Sequence, residues 1–396
     1  MIVAQYLFWL SIACIVYCYA GYPILLIVMS SASQVRSDWR QVSAGGSRRV
    51  RAGQTIQQVA VLVAAHNEER HIEERVRNLL AQDYPPESLR IYAGSDGSVD
   101  RTSEILRGMA DPRITFLDFP VRRGKASVLN DLAAAATEDI IVLTDANTSF
   151  KPDTVRMLMR HFGPADVGCV CGELQLVAAN AATGESENQD HIYWRYERLL
   201  KFFESRIGAL LGANGGVYAL RRRHYVPIPA NTVVDDLWIS MQVIEAGERC
   251  VYDPEAVATE EIPERIGDEF KRRVRIGVGN YQALRRFFGM LSPARGTVAI
   301  SFFSHKCLRW LVPHFMVLAL LTNVLLATTP FYIAMLALQV VFYTAAWVGY
   351  RRSLTGKAPK PLRLPLFFVS MNMGLLFGFW SFLTTRASGT WSRSAR

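Results

Sequence analysis

The chain has few cysteines and histidines, and neither type is spaced for a metal centre or a disulfide framework. The six cysteines stand at positions 14, 18, 169, 171, 250 and 307, and their separations match neither zinc-ligand pairs nor a bridged scaffold. Two of them fall inside the first apolar stretch. We therefore expect reduced, packed thiols, as in a domain that faces the cytoplasm.

Acidic residues are outnumbered, and the excess of positive charge is unevenly distributed. The chain has 44 lysines and arginines against 35 aspartates and glutamates, a formal charge of +9. Basic residues concentrate beside the apolar segments, at Arg36, Arg40, Arg48, Arg49 and Arg51, and again at Arg351, Arg352, Lys357, Lys360 and Arg363. This distribution is typical of loops retained on the cytoplasmic side of a membrane, and it argues against a nucleic-acid partner.

No charged residue interrupts the chain from about Val3 to Met29, which exceeds the ~20 residues that a spanning helix needs. A cleaved signal peptide is the competing interpretation, but its cationic n-region is missing and the basic residues follow the segment. We expect an N-terminal transmembrane helix in residues 1–30 and a basic juxtamembrane linker in residues 31–56.

The C-terminal part is predicted to return to the membrane. Residues 286–309 place arginines beside phenylalanines and predict an amphipathic segment at the membrane surface. Three apolar stretches follow within residues 310–396, at 310–329, 330–350 and 364–384. If all three span, the basic tail ends outside, against the positive-inside tendency. The sequence therefore leaves open whether two or three of these stretches span the membrane.

Residues 57–285 have the pattern of an α/β domain. Short apolar runs at 59–65, 89–97, 114–119 and 139–145 alternate with helical patterns at 69–82 and 125–136. Such alternation predicts a mostly parallel sheet with helices on both faces. Ligands of these sheets bind beyond the carboxyl ends of the strands.

Polar motifs follow the predicted strands. AAHNEE (64–69) comes after the first strand and presents Glu68, and SDGSVD (95–100) ends the second strand at Asp96. Either motif could be a helix cap or an Asp-Gly turn, but their common place at one sheet edge favours nucleotide binding. RRGKASVLN (122–130) places Lys125 at a helix start, where it could contact an anionic group or form a solvated basic turn.

Carboxylates appear in two further motifs. LTDANTSF (143–150) ends the most hydrophobic strand with Asp145 and Asn147, spaced so that both could address one hard cation at a diphosphate. VVDDLWIS (233–240) offers Asp235 and Asp236, of which one could be a general base and the other a helix cap.

A basic motif, KRRVRIG (271–277), contains Lys271, Arg272, Arg273 and Arg275. This cationic density suits a diphosphate or an anionic lipid.

The order of these motifs resembles glycosyltransferase family 2, the inverting GT-A enzymes, and in particular the membrane-embedded group of hyaluronan, chitin-oligosaccharide and cellulose synthases. The resemblance runs from about residue 57 to 285. It implies a Rossmann-like GT-A fold with transmembrane helices, in which Glu68 and Asp96 hold the nucleoside and Lys125 lines the donor site. Asp145 and Asn147 match the DxD motif, which implies Mg²⁺ or Mn²⁺.

The resemblance also assigns the later motifs. Asp235 and Asp236 match the Glu-Asp of the TED motif, which makes Asp236 the candidate base. Arg272 and Arg275 fall on the QxxRW motif, which meets the diphosphate and the acceptor. The chain departs from the family at three positions, with Asn147 for the second DxD carboxylate, Arg272 for Gln and Ile276 for Trp. The missing Trp makes single sugar addition as plausible as processive synthesis.

These residues together predict an inverting hexosyltransferase in the cell inner membrane, multi-pass, with a cytoplasmic catalytic domain. The expected partners are a nucleotide-sugar, most simply a UDP-sugar, a glycan or lipid-linked acceptor, and membrane lipid. A polyprenyl-phosphate sugar synthase and a non-catalytic nucleotide-sugar binder or export partner are the alternatives. Nucleotidyl transfer is disfavoured because a glycine-rich, lysine-containing loop is missing near the first strand.

Overall fold

The structure is a computed structural model that describes residues 1–43, 56–177, 187–261, 266–356 and 359–385. Its internal contacts divide the chain into two units. The helical unit comprises Met1–Met29, Ala182–Leu200 and Arg265–Arg386, and the sheet unit comprises Ser30–Ala181, Lys201–Glu264 and Ala387–Arg396. The site predicted from the strand ends lies in the sheet unit.

One eight-stranded sheet organises the sheet unit. Its strands are β1 (Val59–Ala65), β2 (Leu89–Asp96), β3 (Ile114–Phe119), β4 (Ile140–Asp145), β5 (Thr148–Phe150), β6 (Val167–Val177), β7 (Tyr218–Arg221) and β8 (Arg249–Glu261). They lie in the order β3-β2-β1-β4-β7-β6-β8-β5. The first four are mutually parallel, β6 and β8 are parallel to each other, and β7 and β5 pair antiparallel with their neighbours.

The helices are named in chain order within the described ranges. They are α1 (Ile2–Val16), α2 (Tyr22–Ser43), α3 (Ile72–Leu80), α4 (Thr102–Gly108), α5 (Lys125–Ala135), α6 (Thr154–Met159), α7 (Glu187–Arg206), α8 (Asp235–Glu245), α9 (Ile266–Arg286), α10 (Thr297–Ser301), α11 (Leu308–Leu326), α12 (Pro330–Thr355) and α13 (Lys360–Thr384).

Helices cover both faces of the sheet, as the alternation of strands and helices predicts. On one face, Val61 and Val63 of β1 share a buried core with Val76 of α3. On the other, Gly94 of β2 lies so near Val128 of α5 that a Cβ on Gly94 would come within 2.6 Å. Successive residues of a strand point to opposite faces, so a near-continuous apolar strand such as β1 is buried on both sides.

The parallel register brings the carboxyl ends of the central strands together. Ala64 of β1 is paired with Asp145 of β4, and Ala65 is paired with Ser95 of β2. The residues that follow these strands therefore meet at one edge of the sheet, where open α/β sheets bind their ligands.

The helical unit contains most of the apolar helical residues. Among the described residues, four helical runs are long and apolar enough to cross a membrane: Ile2–Arg40, Thr297–Leu326, Pro330–Leu354 and Lys360–Thr384. The second run starts at Thr297, inside the segment that the sequence analysis assigned to the membrane surface. All three C-terminal stretches therefore have spanning length and composition.

The predicted end of the catalytic domain at residue 285 does not coincide with the boundary between the two units. Helix α9 groups with the helical unit, where a Cβ on Gly378 of α13 would lie 2.7 Å from the Cα of Gly277. Small residues permit this close backbone approach between helices.

Candidate active site

A partly buried lysine connects the end of one strand with the start of a later helix. Lys125 begins α5, and its Nζ lies 2.7 Å from Asp145 Oδ1 at the end of β4 and 3.0 Å from Asp235 Oδ2 at the start of α8. Burial opposes the charge on this ammonium, but the two carboxylates outweigh burial and raise the pKa of Lys125 above its usual value. One cation therefore links two of the predicted motifs directly.

Asp236 follows Asp235 and differs from it in its surroundings. Burial, with a further contribution from the charge of Asp235, raises the pKa of Asp236 from 3.8 to about 6. The amide N–H of Leu237 donates to Asp236 Oδ1 at 2.8 Å. A general base is most effective when its pKa lies near the working pH. Asp236 has that property, whereas Asp235 forms the ion pair with Lys125.

The glycine-rich segment before β7, GANGG (212–216), approaches Asp236 closely. A Cβ on Gly215 would lie 3.0 Å from Asp236 Oδ2, so the missing side chain permits the approach. Tyr218 at the start of β7 is fully buried, and its hydroxyl has no hydrogen-bond partner among the described residues. Burial, Asp235 and Asp236 raise the pKa of Tyr218. This tyrosine was not predicted from the sequence, because its sequence context gives no signal.

The carboxylate of Asp96 holds the loop that presents Lys125. Its Oδ1 accepts the amide N–H of Arg123 at 2.6 Å, and its Oδ2 accepts that of Gly124 at 2.8 Å. Gly124 has φ 91°, a left-handed conformation that glycine adopts readily. Asp96 thus holds the backbone of the two residues that precede Lys125. Its predicted contact with the nucleoside stays a prediction.

Glu68 lies in the turn between β1 and α3. Its Oε2 is 3.0 Å from Nδ1 of His71, and its amide N–H donates to Thr102 Oγ1 at 2.8 Å. The preceding Asn67 adopts φ 55° and accepts the amide N–H of Val99 at 2.9 Å. These bonds tie the AAHNEE and SDGSVD motifs into one polar rim. The nucleoside contact of Glu68 is likewise still a prediction.

Asp145 and Asn147 provide oxygen atoms of the kind that Mg²⁺ and Mn²⁺ prefer. Asn147 Nδ2 donates to Glu260 Oε1 at 3.1 Å, which leaves the amide oxygen outside that bond. Among the described residues, no group of three or more His, Cys, Asp and Glu side chains is placed to hold a metal. One carboxylate and one amide fit a cation that takes its other ligands from substrate phosphates and water.

Arg272 and Arg275, the predicted contacts to diphosphate and acceptor, lie in α9 of the helical unit. Their roles stay predictions. The structure adds Arg75, which the sequence analysis missed. This arginine lies between Ile72 and Leu79 on the apolar stripe of α3 and is buried. The one signal for this residue in the sequence is that a charged side chain interrupts the apolar face of a predicted helix.

The fold has the arrangement of a GT-A domain, an α/β sheet with this polar cluster at the carboxyl edge of its parallel strands. Residues 60–226 match the family model described as glycosyl transferase family 2. This segment of the chain is therefore similar to glycosyl transferase family 2.

Relatives in bacterial polysaccharide synthesis support this assignment. The chain is 26% identical over 251 residues to the poly-beta-1,6-N-acetyl-D-glucosamine synthase of Staphylococcus aureus (strain COL), which covers 62% of this chain and 60% of that protein. The Staphylococcus epidermidis protein of the same name is 25% identical over 241 residues, covering 59% and 57%. The match therefore spans about three fifths of the length of these curated relatives.

A solved structure shows the same fold. The mannosyltransferase PcManGT from Pyrobaculum calidifontis, in complex with GDP-Man and Mn²⁺, superposes with a TM-score of 0.66. It shares 21% sequence identity and covers 92% of this chain and 98% of its own. This likeness confirms the predicted GT-A architecture.

Proposed function

We propose that this chain is an inverting glycosyltransferase that moves a sugar from a UDP-sugar to a polysaccharide or lipid-linked acceptor at the cytoplasmic face of the membrane. One observation carries the proposal: Lys125 joins Asp145 to Asp235 beside Asp236 at the carboxyl edge of the sheet. A cation for the diphosphate and a carboxylate with a raised pKa are the two groups that the reaction needs.

In this proposal the donor lies along the rim formed by the strand ends. Glu68 and Asp96 contact the nucleoside, and the ammonium of Lys125 contacts the diphosphate. Arg272 and Arg275 add positive charge for the diphosphate and acceptor. The guanidinium geometry of arginine matches phosphate oxygens.

Transfer proceeds by in-line displacement. Asp236 accepts the proton of an acceptor hydroxyl while the oxygen of that hydroxyl attacks the anomeric carbon of the donor sugar. The bond between that carbon and the diphosphate oxygen breaks, and the nucleoside diphosphate departs with the bonding electrons. Attack opposite to the leaving group inverts the anomeric configuration. Lys125 stabilises the charge that develops on the leaving group.

A divalent cation, Mg²⁺ or Mn²⁺, completes the proposed site. Asp145 and Asn147 would hold it through a carboxylate and an amide oxygen. When bound, the ion neutralises negative charge on the diphosphate leaving group. With one carboxylate in this motif, the protein supplies less charge than a full DxD pair, so Lys125 takes a larger share of the neutralisation.

The proposed location is the cell inner membrane, with several spans. In the described part of the chain, four helices have the length and composition to cross a bilayer, and basic residues follow the first of them and lie in and beside the loop before α13. Positive residues beside spans are retained on the cytoplasmic side. A cytoplasmic sheet unit would meet the nucleotide-sugars of the cytosol.

The test is a donor screen with full-length purified protein in membrane lipid. UDP- and GDP-sugars are supplied in turn, and released nucleoside diphosphate is measured with and without added glycan or polyprenyl phosphate. The names of the relatives make UDP-N-acetylglucosamine the first donor to try. Acceptor-dependent release supports the proposal, whereas donor binding without release or transfer would leave a non-catalytic binder.

Extraction of labelled product separates the two acceptor classes. A product that partitions into organic solvent identifies a polyprenyl-phosphate sugar synthase or another lipid-linked product. A product that stays in the aqueous phase and grows with time identifies a polysaccharide.

A further inference from the structure

The sheet unit contains a buried arginine that the proposed reaction does not yet use. Arg75 of α3 is 2% exposed, and its guanidinium lies 4.2 Å from the centre of the Phe150 ring. Its NH1 donates to Asn78 Oδ1 at 2.7 Å and its NH2 to Thr144 Oγ1 at 2.6 Å. Within the part of the chain that the structure describes, no carboxylate lies within ion-pair distance of this group.

A buried charge of this kind is unfavourable for the fold alone. The neighbouring positions of the stripe, Ile72, Val76 and Leu79, are fully buried and apolar. Methionine at position 75 could occupy similar space without the desolvation cost of a guanidinium. The Nε of Arg75 has no hydrogen-bond partner among the described residues, so its polar contacts do not satisfy the whole group. The hydrogen bonds that Arg75 does make show which part of the structure it supports.

Those contacts reach the turn that carries the proposed metal ligands. Thr144 Oγ1 donates to the carbonyl of Gly216 at 2.7 Å and lies 2.8 Å from Thr148 Oγ1. Thr148 in turn donates to the carbonyl of Asp145 at 2.9 Å. Arg75 therefore holds Thr144, whose hydroxyl bonds to Gly216 of the glycine-rich segment and lies against Thr148 of the turn that contains Asp145.

The other end of the turn is held from the same side. Asn78, which accepts from Arg75, also donates to the carbonyl of Phe150 at 2.9 Å and accepts the amide N–H of Phe150 at 2.9 Å. The two hydrogen bonds of Arg75 thus brace both ends of residues 144–150. Burial lowers the pKa of Arg75 to about 9, the charge of Asp145 opposes this, and the group stays cationic at neutral pH.

We propose that Arg75 is a positioning residue for glycosyl transfer, which holds the Asp145–Asn147 turn and the Gly215–Gly216 segment in register and places a fixed positive charge behind Asp145. The effect on catalysis rests on the proposed function, in which the Asp145–Asn147 turn binds the cation and the Gly215–Gly216 segment lies beside the base. The positioning itself is a property of the protein without ligand. Removal of such a supporting contact typically costs about 10- to 100-fold in metal affinity or activity.

The experiment compares full-length wild type with Arg75→Met, which removes the charge and both hydrogen bonds, and Arg75→Lys, which keeps the charge. Hydrogen exchange of the ligand-free proteins is measured first. We expect Arg75→Met to speed exchange by about tenfold or more in peptides covering 144–150 and 212–217, with the melting temperature near that of wild type. Arg75→Lys should lie between the two.

Mn²⁺ binding in the presence of UDP, and in parallel GDP, is the second readout. We expect about 10- to 100-fold weaker Mn²⁺ binding in Arg75→Met, a lower kcat, and partial recovery in Arg75→Lys. Unchanged exchange in both segments overturns the proposal. A uniform increase across the sheet unit with a matching loss of melting temperature does so as well, because that is the signature of packing alone.

A second variant guards against misfolding of Arg75→Met. Thr144→Val keeps Arg75 and its charge but breaks the link to Gly216 and Thr148, so it should reproduce the local increase in exchange. If it does not, the link is not what positions the turn. A wild type that shows this exchange pattern but no transfer with any donor would refute the proposed function and leave the positioning role standing.

Discussion

Replacing Asp236 by Asn should stabilise the folded protein at neutral pH. The pKa of Asp236 is about 6 in the folded state against 3.8 for an ordinary aspartate, so ionisation is less favourable after folding by about two pKa units. At about 1.4 kcal/mol per unit this is at most about 3 kcal/mol. Because the side chain keeps some contact with solvent, we expect about 1–2 kcal/mol.

The gain should depend on pH in a defined direction. Well below pH 3.8, Asp236 is protonated in both states, so its ionisation makes no difference between Asn and Asp. Between about pH 4 and 6 the unfolded chain ionises first, and wild type loses stability that the Asn variant keeps. Above about pH 6 both states are ionised and the difference is constant. The stabilisation therefore appears as the pH rises.

Thermal unfolding in detergent from pH 4 to 8 measures this difference. A gain of 1–2 kcal/mol corresponds to a rise of roughly 2–8 °C at pH 8. Asp235→Asn is the matched control, because it removes a partner of Lys125 at 3.0 Å and should lower the melting temperature. The reasoning fails if Asp236→Asn melts at or below wild type at pH 8, or if its gain is equally large at pH 4.

Three further predictions concern the same cluster. The transfer rate of wild type should fall as the pH drops through about 6, because Asp236 must be ionised to accept a proton; a flat profile from pH 5 to 8 would contradict this. Lys125→Met should destabilise the protein by about 3 kcal/mol, since it leaves two partly buried carboxylates without their cation. Added Mn²⁺ should recover part of that loss in a thermal shift assay, and an unchanged melting temperature would speak against the ion pairs. Gly215→Ala places a Cβ 3.0 Å from Asp236 Oδ2 and should lower kcat by roughly threefold to tenfold at unchanged stability, whereas Gly163→Ala, with nothing within 4 Å, should leave kcat at the wild-type value.

The sequence predicted the strands well because each is a short apolar run bounded by polar residues. The bounds 59–65 for β1 and 114–119 for β3 agree with the structure. Helix α3 begins at Ile72 rather than at 69, because the amides of His71 and Ile72 both donate to the carbonyl of Glu68 in a preceding turn. Local chemistry of this kind shifts helix ends by a few residues without changing the element.

The pairing of distant segments could not be derived in the same way. Lys125 and Asp235 meet because β7 inserts antiparallel beside β4, and nothing local to either residue encodes that order. Asp96 was predicted to contact the nucleoside, which stays a prediction; the sequence could not show that its oxygens also accept two backbone amides of the next loop. Arg75 was missed because an amphipathic pattern averages over one charged position.

The measurement closest to the central claim compares donor binding with transfer in Asp236→Asn. Calorimetry with UDP-N-acetylglucosamine, or with whichever donor the screen identifies, and a single-turnover transfer assay are run on wild type and on the variant. The account predicts donor affinity within about threefold of wild type and transfer reduced by about 100-fold or more, as expected for a lost general base. An Asp236→Asn protein that transfers sugar at the wild-type rate would contradict it.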